Sequence, residues 1–296
     1  MLEHRPPERH PESPARLKAV TDAQADAGDL ALEVYDAPLI EPADLARVHT
    51  DRYVAALADA TPQAGVRPLD ADTWLSSGSV RAARRAAGAV AQAVRMVAAG
   101  EAERAFCAVR PPGHHAGAET PMGFCLYSNV AIGARVAQAA GLRKVAVVDF
   151  DVHHGNGTQS LFERDPDLFL ASIHQAPGWP YTGDPAETGV GNIVNATAPP
   201  YASRELWRRT FEGLIEKVEA FAPDLILISA GFDAHAKDPL AEQQLEAEDY
   251  AWATRAIVSA ANSRSRGRVV SSLEGGYDLG ALGQSALAHV RALQGA

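Results

Sequence analysis

Between Val147 and Thr158 the chain reads VVDFDVHHGNGT, an apolar run that ends in two aspartates, two histidines and two glycines. A buried strand has no use for so many ionisable groups, because an unpaired buried charge is costly. Asp149, Asp151 and His153 are two apart, so an extended backbone would turn all three side chains to one side. Carboxylate oxygen and imidazole nitrogen are good ligands for Zn²⁺, and a catalytic zinc keeps an open position for water or substrate. The competing reading of Asp-x-Asp-x-His at a strand end is a hydrogen-bonded turn.

Other stretches carry chemistry of the same kind. His114 and His115 follow Pro-Pro-Gly, a stiff entry to a loop. Beside a metal, one of them could take a proton from an activated water, whose pKa a zinc site lowers to about 7, near that of imidazole. An adjacent histidine pair on an ordinary loop would do nothing. Gly275 and Gly276 precede Tyr277, and glycines let the backbone and ring swing close to a ligand. A tyrosine hydroxyl there could donate to a developing oxyanion; packed against the sheet rim, it would be inert.

The elements that must position these groups follow from periodicity. Short runs rich in Val, Ile and Leu at Ala105–Val109, Val145–Val148, Leu168–Ile173, Leu225–Ser229 and Val269–Leu273 are expected strands. Between several of them, Ala-rich stretches at Ser79–Ala99, Asn129–Ala140, Ser203–Phe221 and Glu246–Ala261 have helical spacing. Strand alternating with helix implies an α/β fold, a mainly parallel sheet covered on both faces in three layers. Arg164–Pro200, rich in Gly and Pro, is expected to form long surface loops. The polar clusters RPPGHHA, DFDVHHGNG, AGFDAH and EGGYD each follow a strand, so they should meet in one crevice beyond the carboxyl ends of the sheet.

Bulk composition narrows the function further. The chain has 296 residues, 47% of them hydrophobic, which suffices for one large core, and no repeat or Gly/Ser linker divides it. A net charge of −10 without a Lys/Arg block speaks against direct nucleic-acid binding. Two cysteines, Cys107 and Cys125, do not make a disulfide scaffold. No apolar run reaches the roughly 20 residues of a membrane span, and MLEHRPPERH lacks the apolar core of a signal peptide. These features lead us to expect a soluble, cytoplasmic protein.

With the clusters assembled, the chain resembles the zinc-dependent histone deacetylase and acetylpolyamine amidohydrolase family. The resemblance rests on HPESPARL, RPPGHHA, GFCLYSNVAI, VVDFDVHHGNGTQ, SIHQ, SAGFDAHAKDPL and LEGGYDL, which run in family order through nearly the whole chain. It implies the single αβα domain of the arginase/deacetylase fold over residues 1–296. It also implies a zinc held by Asp151, His153 and Asp233, His115 as general base and then acid, and His114 paired with Asp149. Asn156 would orient His115, with asparagine there resembling the class II and bacterial branches, and Tyr277 would polarise the amide carbonyl. Gly123, Phe124 and Trp179 resemble the wall of a narrow acyl-lysine tunnel. A potassium ion is implied near Asp149, Asp151, His153 and Ser172.

Some features depart from the family pattern. Only nine residues precede His10, so the usual first strand is expected to be missing. Tyr181 stands where relatives commonly show glycine, and Asp70 and Asp72 are the candidates for a loop acid that holds the substrate backbone. Leu240 stands where polyamine-selective relatives of one branch carry glutamate, which leans toward acetyl-lysine, whereas Glu119 could supply an acidic mouth suited to an acetylated polyamine. The rivals are a binuclear-manganese ureohydrolase, on Asp233-Ala234-His235, and an acyl-lysine binding module without turnover. Lys237, where a ureohydrolase has its next aspartate, speaks against the first, and the presence of every catalytic residue against the second. Oligomeric state stays open.

Overall fold

The computed structural model of the chain describes residues 1–295. In chain order its elements are α1 (Pro14–Ala25), α2 (Pro42–Leu45), α3 (Asp51–Ala60), β1 (Val66–Pro68), β2 (Trp74–Ser76), α4 (Ser79–Ala99), β3 (Arg104–Cys107), α5 (Asn129–Ala139), β4 (Val145–Asp149), α6 (Asn156–Phe162), β5 (Leu168–Gln175), β6 (Ile193–Ala198), α7 (Arg204–Phe221), β7 (Leu225–Ala230), α8 (Ala247–Arg264), β8 (Val269–Leu273) and α9 (Leu279–Gly295). β1 and β2 form a small antiparallel pair.

The apolar runs become strands because both faces of the sheet they form are covered. In β4, β5, β7 and β8 every residue is buried, as continuous hydrophobic runs in parallel sheets require. The order is β3-β8-β7-β4-β5-β6, with every pairing parallel. α4 and α5 pack together over β3, β4, β7 and β8, while α7, α8 and α9 pack in series over the strands and α1 joins α9. This is the three-layer arrangement expected. After β4 the chain winds outward through β5 and β6, then returns to place β7 on the other side of β4. The strand order therefore reverses direction at β4 and β7, the place where open parallel sheets hold their sites beyond the carboxyl ends of the strands.

Local signals account for the element ends. Ser203 caps α7, its Oγ accepting the Leu206 N–H at 3.2 Å. Glu246 and Asp249 form a reciprocal capping box that starts α8. Gly100, at φ 76°, ends α4. One expectation is corrected: Arg164–Pro200 is not only loop, since Ile193–Ala198 forms β6 beside β5. Its run IVNATA is interrupted by Asn195 and Thr197 and only partly buried because it lies at the sheet edge, and flanking Gly and Pro hid it. Helices α1, α3 and α9 were also not expected from spacing. No helix among the described residues is long and apolar enough to cross a membrane.

His289, on α9, ties three elements together inside the core. Thr254 Oγ1 donates to the Tyr250 carbonyl at 2.6 Å, so it must accept from His289 Nδ1, also 2.6 Å away. Nε2 is then the acceptor for the Ser271 hydroxyl at 2.8 Å. Phe106, Phe150 and Phe232 surround the ring, and burial pushes its pKa down to about 3. A histidine held neutral stabilises the fold fully above its unfolded pKa of about 6.5, and that contribution is lost as pH falls toward the folded value. Between pH 7 and 5 His289 alone should therefore cost about 2 kcal/mol of stability. We expect denaturant unfolding of His289→Gln to show an acid slope shallower by that amount than the unsubstituted chain; equal slopes would refute the assignment.

Candidate metal and catalytic centre

Asp149 is the last residue of β4, and the backbone beyond it bends instead of continuing extended. The Asp151 N–H donates to Asp149 Oδ1 at 3.1 Å, and the His153 N–H donates to Asp151 Oδ1 at 2.9 Å. The hydrogen-bonded turn and the ligand cluster, rivals in the sequence, thus coexist. Asp233 arrives from the loop after β7, its Oδ1 accepting the Val152 N–H at 2.9 Å. His153 Nδ1 lies 3.1 Å from both Asp151 Oδ1 and Asp233 Oδ2. One donor atom from each of Asp151, His153 and Asp233 falls within 4.8 Å of the others.

The residues present fit a divalent metal. The donor set is two carboxylates and one imidazole, and glycine leaves the room: a Cβ at Gly275 would stand 2.1 Å from Asp233 Oδ2, and one at Gly231 would stand 2.1 Å from Asp151 Oδ2. Burial opposes ionisation of Asp151, but His114, His153 and His115 hold its carboxyl well below the usual range. Burial, then the Asp151 charge, pushes Asp233 up. Two carboxylates this close resist joint ionisation unless a cation lies between them. Burial also opposes protonation of His153, yet its bonds to Asp151 and Asp233 raise its pKa to about 10. A proton and a metal ion compete for that same lone pair.

The histidine pair lies beside this cluster with two different environments. His114 Nδ1 is 3.0 Å from Asp149 Oδ2; burial opposes its charge, but Asp151, Asp149 and Glu274 outweigh it and raise the pKa to about 10. His115 Nδ1 is 2.7 Å from Asn156 Oδ1, whose amide nitrogen donates to Met122 Sδ at 3.2 Å. Asn156 therefore presents its oxygen, His115 carries the proton on Nδ1, and Nε2 keeps a free lone pair. Burial, His114 and His153 push the His115 pKa well down. The rings of His115 and His153 are 6.1 Å apart.

The remaining expected residues are distributed around these rings. Trp179 meets His115 edge-on at 4.7 Å and His153 at 5.7 Å. A Cβ at Gly123 would come 2.4 Å from the His115 ring and 2.6 Å from Trp179. Phe124 packs on Tyr277 at 5.8 Å and on His10 at 4.7 Å. Leu240 is 41% exposed on the loop after β7. Tyr181, 81% exposed, has φ 62°, the left-handed region that glycine favours. Ser172 is the register partner of Asp149, and its hydroxyl bonds His174 Nδ1 at 3.0 Å. Asp70 spends its carboxylate on the Asp72 and Thr73 N–H groups, whereas Asp72 is linked to Phe124, its Oδ1 accepting from Thr73 Oγ1, which in turn accepts the Phe124 N–H. Glu119 pairs with Arg52 and accepts the Thr50 hydroxyl at 2.6 Å. His235 turns away from the cluster toward Glu246 and the Lys237 N–H.

The groups that lock these loops together had no role assigned from sequence alone. Arg16 Nε donates to the Gly276 carbonyl at 2.6 Å and Nη2 to that of Glu274, and its guanidinium lies 4.8 Å over the Tyr277 ring. Glu12 receives Arg110 in a two-pronged contact at 2.8 and 2.7 Å, together with Arg16 at 3.3 Å, all fully buried. Glu274 Oε2 accepts the N–H groups of Gly113 and His114 at 2.6 and 3.2 Å. Asp238 accepts the Tyr277 N–H at 2.7 Å. Glu12, Arg16 and Arg110 belong to motifs that mark the chain, yet nothing local reveals partners this far away.

Comparison with known proteins agrees with this arrangement. The family model described as the histone deacetylase domain matches residues 10–293. Histone deacetylase 15 of Arabidopsis thaliana is 38% identical over 301 residues, covering 97% of this chain and 53% of that protein, so the chain spans about half its length. A probable deacetylase of Archaeoglobus fulgidus is 36% identical, with 99% of this chain and 84% of that one covered. The histone deacetylase-like amidohydrolase of Pseudomonas aeruginosa is 37% identical over 90% of this chain and 71% of its own. The crystal structure of the HDA15 HD domain superposes with a TM-score of 0.93 at 36% identity, covering 99% of this chain and 85% of that one. The strand order and flanking helices are those of the arginase/deacetylase fold. Matched by the family model over nearly its whole length, and carrying the expected ligand cluster at the ends of β4 and β7, the chain belongs to the histone deacetylase family.

Proposed function

We propose that the chain is a zinc-dependent deacetylase, a single catalytic domain that removes acetyl groups from acetyl-lysine or a related acetylated amine. The observation that carries this reading is the meeting of Asp151, His153 and Asp233 beside a histidine whose Nε2 lone pair is free. Asp151, His153 and Asp233 would hold the zinc, which when bound activates water and polarises the amide carbonyl.

The chain's own residues do the rest. His115 Nε2 takes the proton of the attacking water and later gives it to the leaving amine. Asn156 fixes the tautomer that makes this direction of transfer possible. His114, charged against Asp149, keeps positive potential beside the site and so holds His115 neutral. The Tyr277 hydroxyl donates to the oxygen of the developing tetrahedral centre. Gly123, Phe124 and Trp179 surround the apolar lysine stem, and the missing Cβ at Gly123 lets the His115 and Trp179 rings close against the backbone. Asp72 is the better of the two rim acids for a substrate N–H, since Asp70 is committed to its own turn. A potassium ion around Asp149, Asp151, His153 and Ser172 is part of the same proposal, supported by the register pairing of Asp149 with Ser172. Cytoplasm is the compartment we propose, on the strength of two free buried cysteines.

The competing readings have less support. A binuclear site needs more carboxylates, and among the described residues only Asp151, His153 and Asp233 cluster, with His235 engaged elsewhere. A silent binding module would have no need of the His115–Asn156 pair. Between the two substrate classes, exposed Leu240 and the pairing of Glu119 with Arg52 favour acetyl-lysine over a polyamine.

Two experiments test this reading. Asp151→Ala should lose the bound zinc, whereas Tyr277→Phe should keep it, read by metal analysis, while kcat falls about 10²- to 10³-fold, the usual loss of an oxyanion donor. Full activity in Tyr277→Phe would refute the mechanism. Acetate release by the zinc-loaded protein should then show a higher kcat/KM for an acetyl-lysine peptide than for an acetylated polyamine; the reverse order would make the polyamine the substrate class.

A further inference from the structure

The turn that presents Tyr277 has little stiffness of its own. Gly275 and Gly276 precede it, and Gly276 has φ 118°, a conformation that is costly for other residues. Its geometry is therefore imposed by neighbours. Arg16 takes the carbonyls of Glu274 and Gly276, and Asp151 accepts the Gly275 N–H at 2.8 Å. The Gly276 carbonyl belongs to the same planar peptide as the Tyr277 N–H, and the Arg16 guanidinium also lies over the Tyr277 ring. The other edge of that peptide is held by Asp238, whose Oδ2 accepts the Tyr277 N–H at 2.7 Å.

The other oxygen of Asp238 is used as well. Oδ1 accepts the Leu240 N–H at 3.0 Å. Pro239 between them has no N–H, so Leu240 is the first donor the side chain can reach in this turn. The Asp238 N–H donates to the His235 carbonyl at 2.8 Å, which roots the residue in the loop that carries Asp233. One carboxylate, 8% exposed, thus joins the β7 loop to the peptide of Tyr277.

We propose that Asp238 is a positioning residue for Tyr277: its carboxylate ties the Tyr277 peptide to the loop after β7 and so fixes where the tyrosine hydroxyl meets the substrate carbonyl. This rests on the oxyanion role given to Tyr277 above. The mechanical reason is that Arg16 and Asp238 grip opposite edges of one planar peptide, so with only its carbonyl held the plane can pivot and carry the tyrosine with it. A displacement of about 1 Å at a reacting group can cost on the order of 10² in rate.

The test is a double-mutant cycle in the metal-loaded chain. Asp238→Asn replaces one acceptor oxygen by an NH₂ group that meets a backbone N–H. We expect kcat on an acetyl-lysine peptide to fall about 10- to 100-fold with KM changed less than about twofold. Metal stoichiometry should be unchanged, and amide hydrogen exchange over residues 274–282 should accelerate. In the Tyr277→Phe background the same substitution should cost less than about threefold, since its effect passes through the hydroxyl already removed. Equal costs in the two backgrounds, or unchanged exchange in the turn, would overturn the clamp. Full activity of Tyr277→Phe alone would overturn the oxyanion role and the clamp together, and is seen before Asp238 is touched. Should Asp238→Asn fail to fold, Asp238→Glu, which keeps the charge on a stem one methylene longer, enters the same cycle with the same expectations.

Discussion

The repulsion between two buried carboxylates, Asp151 and Asp233, sets the requirements that the surrounding structure meets. Both are essentially removed from solvent, and both contact one imidazole nitrogen of His153. Such a pair is tolerable only with cationic or N–H partners on every side. The neighbours supply them: Gly275 and Val152 through the backbone, His114 at 3.8 Å from Asp151 Oδ1, and the fit for a divalent ion. The glycines at 231 and 275 follow from the same requirement, since any side chain there would occupy the space the carboxylates need. Parallel strands β4 and β7 are adjacent, which is what lets two carboxylates so far apart in sequence approach.

Around that pair, polar groups work in two roles. Asp149 and Asn156 act on the histidines and split one His-His dipeptide into a charged member and a neutral one. Glu274, Arg16 and Asp238 act on the backbone instead, through N–H and carbonyl groups of the histidine and tyrosine loops. Loops that carry catalytic groups need such external ties because short glycine-containing turns do not hold a side chain in place by themselves.

Much of this was legible in the sequence, for identifiable reasons. The four central strands β8, β7, β4 and β5 are buried on both faces and so appear as largely apolar runs, as in VAVVD and LILISA. The ligands of the candidate centre lie within two short segments whose charge density is hard to explain otherwise. β6 was missed because an edge strand carries Asn and Thr in place of a continuous apolar run. The buried ion network was missed for a different reason: Glu12 and Arg110 are both common surface residues, and only their meeting across the fold makes them internal. The extended geometry assumed for Asp149 to His153 was too simple. Side-chain to backbone bonds fold that segment, and period-two spacing cannot reveal them.

The contacts of Arg16 also bear on how the protein is made. Arg16 and Gly276 are 260 residues apart in sequence, and Arg16 and Glu274 are 258 apart. During synthesis the first helix leaves the ribosome long before its carbonyl partners on the last turn exist, so its guanidinium must stay hydrated while most of the sheet forms. The bonds of Arg16 to the Glu274 and Gly276 carbonyls can then form only after β8 and the turn beyond it have emerged. Closure of such long-range contacts is slow relative to local structure. The centre is therefore assembled last, and a nascent chain stopped before residue 274 lacks the turn that would complete it.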